Sequence, residues 1–273
     1  MGTTNIFKLQ IAGITKTVSL KIKTTNLVLY GSGFIEPNAG NAHNAGDAFK
    51  EIAEARHEIN KKKTPTDINE VHFCPTDFDF FNIINNLKNI NRLDIYCHGW
   101  LHGINLGGFK GKRIINSKEV DGDKLDWMDK GQNKGKDLRR VEIHENLYLN
   151  STETTELVNL KSSSFSATPN VYFWGCNIGG QLDSKGKHIA NNKPLITDPK
   201  KSFAQKFAEK IGKGNVYALV GKGAAGGSMF KTDKKGKVIF YDGEMLPANI
   251  SKNSNDINTI IIDSTKYLKK FPL

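Results

Sequence analysis

The chain has 273 residues, of which 38% are hydrophobic, and its 39 Lys and Arg outweigh 28 Asp and Glu to give a net charge of +11. This length and apolar content predict one α/β domain spanning 1–273, with insertions. The lysines are spread through loop-like segments, and aromatic residues do not interleave with them. The charge therefore indicates a solvated surface and argues against a nucleic-acid platform.

The three cysteines, Cys74, Cys97 and Cys176, are an odd number at wide spacing and make a poor disulfide framework. We therefore expect reduced thiols and synthesis in the cytoplasm. The first residues lack an apolar run long enough for a signal peptide, and no stretch of about 18 apolar residues predicts a membrane span. Export by a specialised secretion system, which ignores such signals, stays open.

Apolar and polar residues alternate over residues 5–23, which predicts an N-terminal β-hairpin. Beyond it, short apolar runs are separated by amphipathic stretches, a pattern typical of buried strands joined by crossover helices. The predicted strands are 27–30, 71–74, 92–97, 171–174 and 216–220. The predicted helices are 44–60, 77–90 and 201–211, and Gly212 ends the last of them.

Two further segments complete the prediction. Residues 110–140 are rich in Lys, Asp, Gly and Asn and predict a surface insertion, and residues 228–241 predict a C-terminal β-hairpin. The alternation of strands and helices predicts a three-layer α/β fold, with a mostly parallel central sheet and helices on both faces. In such sheets reactive groups lie at the carboxyl ends of strands, so the residues that follow each strand are the candidates for chemistry.

Reactive side chains follow two of the predicted strands directly. His98 and Gly99 follow the third strand, and Gly175 and Cys176 follow the fourth. Acyl transfer by a thiol needs a cysteine nucleophile, a base that can later protonate the leaving amine, and donors for the oxyanion. A Cys and a His at neighbouring strand ends supply the first two, and backbone N–H groups left accessible by the glycines supply the third.

The order strand, His-Gly, strand, Gly-Cys resembles that of the clan CD cysteine peptidases, which include caspases, legumains, gingipains and separases. The resemblance covers about 27–220 and implies a caspase-like fold. It also implies a cysteine endopeptidase that acts on protein or peptide substrates without a metal or organic cofactor. Cys176 would attack the scissile carbonyl, His98 would be the general acid and base, and the backbone N–H groups of Gly99 and Cys176 would form the oxyanion hole.

The resemblance extends to processing. Members of the family often mature by cutting a linker after the cysteine strand, and residues 178–199 here form a Gly-, Lys- and Asn-rich segment. Self-processing within this segment is one expectation, and a plain surface loop explains the composition equally well. By analogy alone, the chain is compatible with a bacterial secreted effector or toxin.

Two other functions stay open on the sequence. One is a catalytically inactive caspase-like module whose basic surface docks a partner. The other is a non-peptidase acyl-transfer enzyme, such as an amidase or a transpeptidase, that uses the same Cys176 and His98. Cysteine reactivity separates the first from an enzyme, and substrate profiling separates the second from a peptidase.

Two motif-like patterns are not assigned. The pattern G-x-G-x-x-G at 221–226 follows a strand, but a hairpin comes after it instead of the helix that a dinucleotide site needs. A zinc site at His98 and His102 is disfavoured, because Gly99 and Gly103 predict a loop where a helix would align two such ligands.

Overall fold

The computed structural model describes residues 4–11, 14–32, 48–109, 111–115, 117–121, 142–144, 156–180, 199–221, 223–224, 230–232, 238–241, 246–247 and 268–272. Its strands are β1 (Thr4–Ile11), β2 (Ile14–Lys21), β3 (Thr25–Tyr30), β4 (Ile68–Phe73), β5 (Ile90–Tyr96), β6 (His98–Trp100), β7 (Gly103–Asn105), β8 (Lys112–Ile115), β9 (Lys118–Asp121), β10 (Glu142–His144), β11 (Phe165–Phe173), β12 (Asn215–Leu219), β13 (Gly223–Ala224), β14 (Phe230–Thr232), β15 (Val238–Tyr241), β16 (Leu246–Pro247) and β17 (Leu268–Phe271). Its α-helices are α1 (Ala48–Lys63), α2 (Asp77–Asn86) and α3 (Phe203–Ile211). Short 3-10 turns lie at Glu156–Asn159, Ser162–Ser164 and Pro199–Lys201. Within these stretches, no helix combines the length and the apolar character needed to cross a membrane.

A six-stranded sheet forms the centre of the fold, in the order β17-β12-β11-β5-β3-β4. The five strands from β4 to β12 run parallel, and β17 pairs with β12 in the antiparallel direction at one edge. The chain enters the sheet at β3, places β4 on one side of it, and then adds strands on the other side only. The strand order therefore reverses between β3 and β5, and ligand sites of open α/β sheets lie at the carboxyl ends of strands beside such a point.

Alternate residues of the central strands pack on opposite faces of the sheet. On β5, Leu93 and Ile95 belong to one core cluster, whereas Tyr96 belongs to a second. Helices α2 and α3 cover the first face with Phe80, Ile84, Phe203, Phe207 and Ile211. Helix α1 covers the second face with Phe49, Ile52 and Ala53. We call these the α2/α3 face and the α1 face. Helices thus cover both faces, and the predicted α/β class with a mostly parallel sheet is confirmed.

Local capping sets the ends of two helices. The Thr76 hydroxyl accepts a hydrogen bond from the Asp79 N–H at 3.1 Å at the start of α2, and Ser202 caps α3 in the same way. Helix α3 ends at Gly212, whose φ of 63° lies in the left-handed region and whose N–H donates to the Ala208 carbonyl at 2.9 Å. Glycine adopts this conformation readily, so the predicted end of the helix is confirmed.

Two predicted elements differ from those in the structure by more than the few residues seen elsewhere. The helix predicted over 77–90 ends at Asn86, because Leu87 is extended, with a ψ of 161°. Asn89, with a φ of 57°, then turns the chain into β5. The strand predicted over 171–174 begins much earlier, as β11. Its pairing with β5 shifts register between Phe165 and Asn170, and this irregular, partly polar stretch lacks the apolar run that marks a buried strand.

Three of the segments predicted as hairpins or as an insertion contain hairpins among their described residues, outside the central sheet. Strands β1 and β2 pair within the predicted 5–23 hairpin, and β14 and β15 pair within the predicted 228–241 hairpin. In the predicted insertion 110–140, β8 and β9 form a hairpin separate from the central sheet, while residues 122–140 lie outside the described residues. The single domain over 1–273 stays a prediction.

A buried carboxylate lies at the centre of the α1 face. Asp94 is fully buried on β5 and accepts hydrogen bonds from Arg92 Nε at 2.6 Å, Arg92 Nη2 at 2.9 Å and Trp174 Nε1 at 3.0 Å. Arg56 of α1 places its Nε 4.0 Å from the same carboxylate. Burial by itself would raise the pKa of Asp94, but the two arginines and the Trp174 hydrogen bond lower the pKa below its usual value.

Replacing Asp94 tests how much this cluster stabilises the fold. We expect Asp94→Asn to lower the free energy of unfolding by about 3 kcal/mol at neutral pH, because two largely buried arginines lose their counter-charge. Since the pKa of Asp94 is lowered by folding, its contribution is present above the unfolded-state pKa of about 4 and is lost as the pH falls through the folded-state pKa. Urea unfolding should show a difference between wild type and variant that is constant near neutral pH and shrinks below about pH 4.

A surface variant provides the control for this measurement. Glu54→Gln removes an exposed carboxylate that lies 3.9 Å from Lys50 Nζ, and it should change the free energy of unfolding by less than about 0.5 kcal/mol. If Asp94→Asn had an equally small effect, the stabilising role of the cluster would be refuted.

Candidate active site

Strands β5 and β11 are parallel neighbours, and their register pairs Phe173 with Ile95. The pairing continues past the end of β11, where the Trp174 N–H donates to the Ile95 carbonyl oxygen at 2.9 Å. Extending this register by three residues past the Phe173–Ile95 pair places Cys176 beside His98. The two residues predicted to react therefore leave adjacent strands at the same edge of the sheet.

Glycines allow the two segments that follow these strands to touch. A Cβ atom placed on Gly99 would lie 3.1 Å from the Cys176 carbonyl oxygen and 2.6 Å from Cδ1 of Ile178. A Cβ placed on Gly175 would lie 2.7 Å from the Cys97 carbonyl oxygen and 3.4 Å from the Gly99 nitrogen. The His-Gly and Gly-Cys segments are thus in direct backbone contact, with the Ile178 side chain against both. A side chain at either glycine would push them apart.

The expectation of a loop over 98–103 is wrong, because β6 and β7 form an antiparallel hairpin with a two-residue turn. Such a turn makes Trp100 and Gly103 a hydrogen-bonded pair, so the next pair, Gly99 and Ile104, is not hydrogen-bonded. The Gly99 N–H consequently points away from β7, on the edge of β6 that the Gly-Cys segment approaches. The glycines were interpreted as loop formers, whereas Gly99 is needed for close backbone approach.

A tight turn carries Cys176. The next residue, Asn177, has a φ of 58°, a left-handed conformation that asparagine tolerates better than most residues. Its N–H donates to the Gly221 carbonyl at 2.7 Å, and its carbonyl accepts from the Gly180 N–H at 3.0 Å. Ile178 is fully buried in the core of the α2/α3 face. Cys176 is partly exposed at the start of this turn, which is fixed by the hydrogen bonds of Asn177 and by the buried Ile178.

Helix α3 holds both segments through its first turn. The Phe203 N–H donates to the Leu101 carbonyl at 2.7 Å, and the Ala204 N–H donates to the Ile178 carbonyl at 3.2 Å. The first N–H groups of a helix have no partner within the helix and are free to bond elsewhere. Here they join the hairpin that carries His98 to the turn that carries Cys176.

The His98 ring also has a fixed neighbour on the α1 face. The Phe49 ring of α1 lies 5.0 Å away between ring centroids, at an interplanar angle of 73°. Phe49 is buried against the sheet, so its own position is set by the core. An edge-to-face contact of this kind restricts the orientations open to the imidazole.

The three cysteines differ in their capacity to react. Cys74 and Cys97 are buried, whereas Cys176 is partly exposed. Burial raises the pKa of the Cys74 thiol, and the charge of Asp79 adds to the increase. Burial likewise raises the pKa of Cys97, with an added contribution from the nearby Cys176. Because the thiolate is the nucleophile, Cys74 and Cys97 are poor candidates for chemistry.

Two other histidines belong to described elements of the fold. His72 of β4 hydrogen-bonds Glu70 through its Nε2 at 2.7 Å, and His102 lies in the exposed turn of the β6–β7 hairpin. In the part of the chain that the structure describes, no group of three or more His, Cys, Asp or Glu residues is arranged to hold a metal ion. Most of the predicted processing segment, residues 181–198, lies outside the described residues.

Two contributors to the site were missed by sequence reasoning. Ile178 is a single apolar residue in a polar segment, so no periodic pattern marks it. Phe49 falls within the predicted helix 44–60, but its contact with His98 depends on where α1 packs on the sheet. Neither could be recognised without the tertiary structure.

The packing around Gly99 can be tested by a double-mutant cycle. We expect Gly99→Ala to lower the free energy of unfolding by about 2 kcal/mol or more, because the new methyl group would overlap the Ile178 side chain. In an Ile178→Ala background the same substitution should cost clearly less. Urea unfolding of the four proteins measures the coupling.

Gly175→Ala is the matched control for this cycle. Its methyl group would also meet the Cys97 carbonyl at 2.7 Å, a backbone atom that truncating Ile178 does not remove. Ile178→Ala should therefore remove only part of the loss in unfolding free energy that Gly175→Ala causes. An identical cost of Gly99→Ala in both backgrounds would show that Ile178 does not limit the approach of the two segments.

No protein-family model matches this sequence, and no curated protein matches it. Its function is therefore inferred from the geometry of the two strand ends. At that point a partly exposed thiol and an imidazole share one edge of a parallel sheet, beside a backbone N–H that points away from its hairpin partner.

Proposed function

We propose that the chain is a cysteine endopeptidase of the caspase-like kind, with Cys176 as nucleophile and His98 as general acid and base. One observation carries the proposal: the backbone contact in which a Cβ on Gly99 would come within 3.1 Å of the Cys176 carbonyl oxygen. Such a contact keeps the nucleophile and the base close enough to serve a single scissile bond. Because both residues follow adjacent strands of one sheet, little has to be ordered when a substrate binds.

The proposed reaction proceeds in two acyl transfers. His98 takes the thiol proton of Cys176, and the thiolate attacks the scissile carbonyl carbon. The C–N bond then breaks, His98 returns the proton to the leaving amine, and a thioester remains on Cys176. In the second transfer His98 takes a proton from water, and the resulting hydroxide attacks the thioester carbonyl carbon. The C–S bond then breaks, the carboxylic acid product leaves, and His98 returns the proton to the Cys176 thiolate.

Backbone donors stabilise the oxyanion in this proposal. The Gly99 N–H lies on the edge of β6 that faces the Gly-Cys segment, and the Cys176 N–H belongs to the nucleophile itself. Two preorganised N–H groups beside the attacked carbonyl carbon are what an acyl-transfer transition state requires. Neither donor is a side-chain group, so a substitution near the site would change the oxyanion hole only by shifting the backbone.

The proposal also extends the observed architecture to a caspase-like fold. Support comes from chain order, since His98-Gly99 and Gly175-Cys176 follow neighbouring parallel strands and α3 and β12 come after the cysteine, as the resemblance implies. Proteins or peptides are the proposed substrates. Cleavage of the chain itself within residues 178–199 is part of the proposal and is tested together with turnover.

Thiol labelling is the first test of this function. In native protein, iodoacetamide should modify Cys176 and spare Cys74 and Cys97, whose burial shields them and raises their pKa. His98→Ala should slow the labelling of Cys176 by about tenfold or more, because the thiolate loses its partner. Mass mapping of the modified peptide gives the rate for each cysteine.

Denatured protein serves as the control, since all three cysteines should then react at similar rates. Uniformly slow labelling in the native state, with no dependence on His98, would favour an inactive module that binds a partner.

Turnover tests the reaction itself. In a peptide-library screen, Cys176→Ala should lower kcat/KM by about 10⁴-fold or more, and His98→Ala should lower it by a comparable factor. The double variant should be no worse than either single variant, because the two residues act as a unit. The intact mass of incubated wild type should decrease, whereas Cys176→Ala should stay full length. Wild-type turnover by a folded Cys176→Ala protein would eliminate the proposal.

A further inference from the structure

Asn105 faces His98 across the β6–β7 hairpin. The register pairs these two residues, and the alternation of pairs along the hairpin makes theirs a hydrogen-bonded pair. Side chains of directly opposed residues project from the same face of a hairpin, with Cβ atoms about 5 Å apart. The Asn105 amide is therefore within reach of the His98 ring.

The neighbours of Asn105 show which face this is. Ile104 and Leu106, on either side of it in the chain, are buried in the core of the α2/α3 face. Because successive strand residues point in opposite directions, Asn105 projects toward the α1 face. The His98 ring lies on that face too, in contact with Phe49.

Burial and backbone pairing constrain Asn105 strongly. Only 5% of its surface is exposed, so the packing around the side chain leaves it few conformations. Strand β7 is the middle strand of its three-stranded sheet, so the backbone of Asn105 is paired with His98 on one side and with Glu142 on the other. Because its backbone is paired on both sides and its side chain is buried, Asn105 can fix the position of a neighbouring side chain.

We propose that Asn105 is a positioning residue for His98. The side-chain amide of Asn105 hydrogen-bonds the imidazole nitrogen that faces away from Cys176. The engaged nitrogen carries the ring proton and donates its hydrogen bond to the amide oxygen, so that the unprotonated nitrogen faces the thiol, as a general base requires. The amide thus takes the place that a carboxylate occupies beside many catalytic histidines. The effect on reactivity rests on the proposed function, whereas the contact with His98 does not.

The contact is tested by nitrogen-15 spectroscopy of the His98 ring, whose resonances report which nitrogen carries the proton. Asn105→Ala should change the tautomer balance of His98, in wild type and equally in a Cys176→Ala background. Asn26→Ala is the matched control, because Asn26 is also a buried strand asparagine but hydrogen-bonds Thr64 and Asn69 at the other end of β3. That variant should leave the His98 resonances unchanged.

A second variant keeps the test valid if Asn105→Ala does not fold. Asn105→Asp preserves the size of the side chain and puts a carboxylate in the same place, which must move the ring resonances if the two groups are in contact. His98 resonances that stay at their wild-type positions in Asn105→Asp, or in a folded Asn105→Ala protein, would overturn the inference.

Thiol labelling then connects the contact to reactivity. Asn105→Ala should slow the alkylation of Cys176 by about three- to tenfold, the factor expected from the loss of one hydrogen bond. In a His98→Ala background it should have no further effect, since it acts through His98. A slowdown of equal size in both backgrounds would assign Asn105 a structural role only. If wild-type Cys176 is itself unreactive, the proposed function fails, and the ring resonances alone decide the role of Asn105.

Discussion

Two glycines meet where β5 and β11 end, and the absence of their side chains lets two backbone segments touch. The surrounding structure is arranged about that contact. The parallel register of β5 and β11 aligns the segments, the β6–β7 hairpin carries one of them, and the tight turn at Asn177 carries the other. The first N–H groups of α3 then hold both in place. Any proposal that uses Cys176 and His98 together depends on this approach.

A buried polar cluster next to this contact links β11, the strand that leads to Cys176, to helix α1. Trp174 immediately precedes the Gly-Cys segment, and its indole N–H donates to the buried carboxylate of Asp94. Arg56 of α1 approaches the same carboxylate, so one side chain connects the strand that leads to the nucleophile with the helix that supports the His98 ring. A buried ion pair adds little stability compared with well-packed apolar residues, but removing one member is costly. Replacing Asp94 would therefore leave the largely buried arginines of the cluster without this negative charge.

Much of the architecture could be predicted from local signals. Helix α3 combines an amphipathic pattern with a serine cap and a terminal glycine, and its end was predicted to the residue. The central strands were found from their apolar runs because both of their faces are buried. The order of His98 and Cys176 along the chain then placed them at one edge of the sheet, since parallel strands that are neighbours end together.

Other features could not be predicted, for identifiable reasons. The early start of β11 depends on an irregular register, which leaves no periodic trace in the sequence. The β6–β7 hairpin was hidden because its glycines suggest a loop as readily as a close approach. The relation of His98 to Asn105 and Phe49 exists only once strands are paired and α1 is packed. These are properties of the tertiary structure, and they include what distinguishes a reactive pair from two residues that are merely near one another.

The chain that joins β11 to α3, between Gly180 and Pro199, is fixed at each end by contacts of its own. Gly180 is held by hydrogen bonds to Asn177 and Gly221, and Pro199 accepts a hydrogen bond from Ser202 at the start of α3, so each side of the intervening chain is anchored independently. Strands β11 and β12 pair directly, and α3 shares its core cluster with both. A molecule made as two polypeptides that end at Gly180 and begin at Pro199 would thus retain these contacts among the described residues. Joining the two points in one chain lowers the entropic cost of bringing β11 and β12 together, since it limits how far apart they can lie before folding.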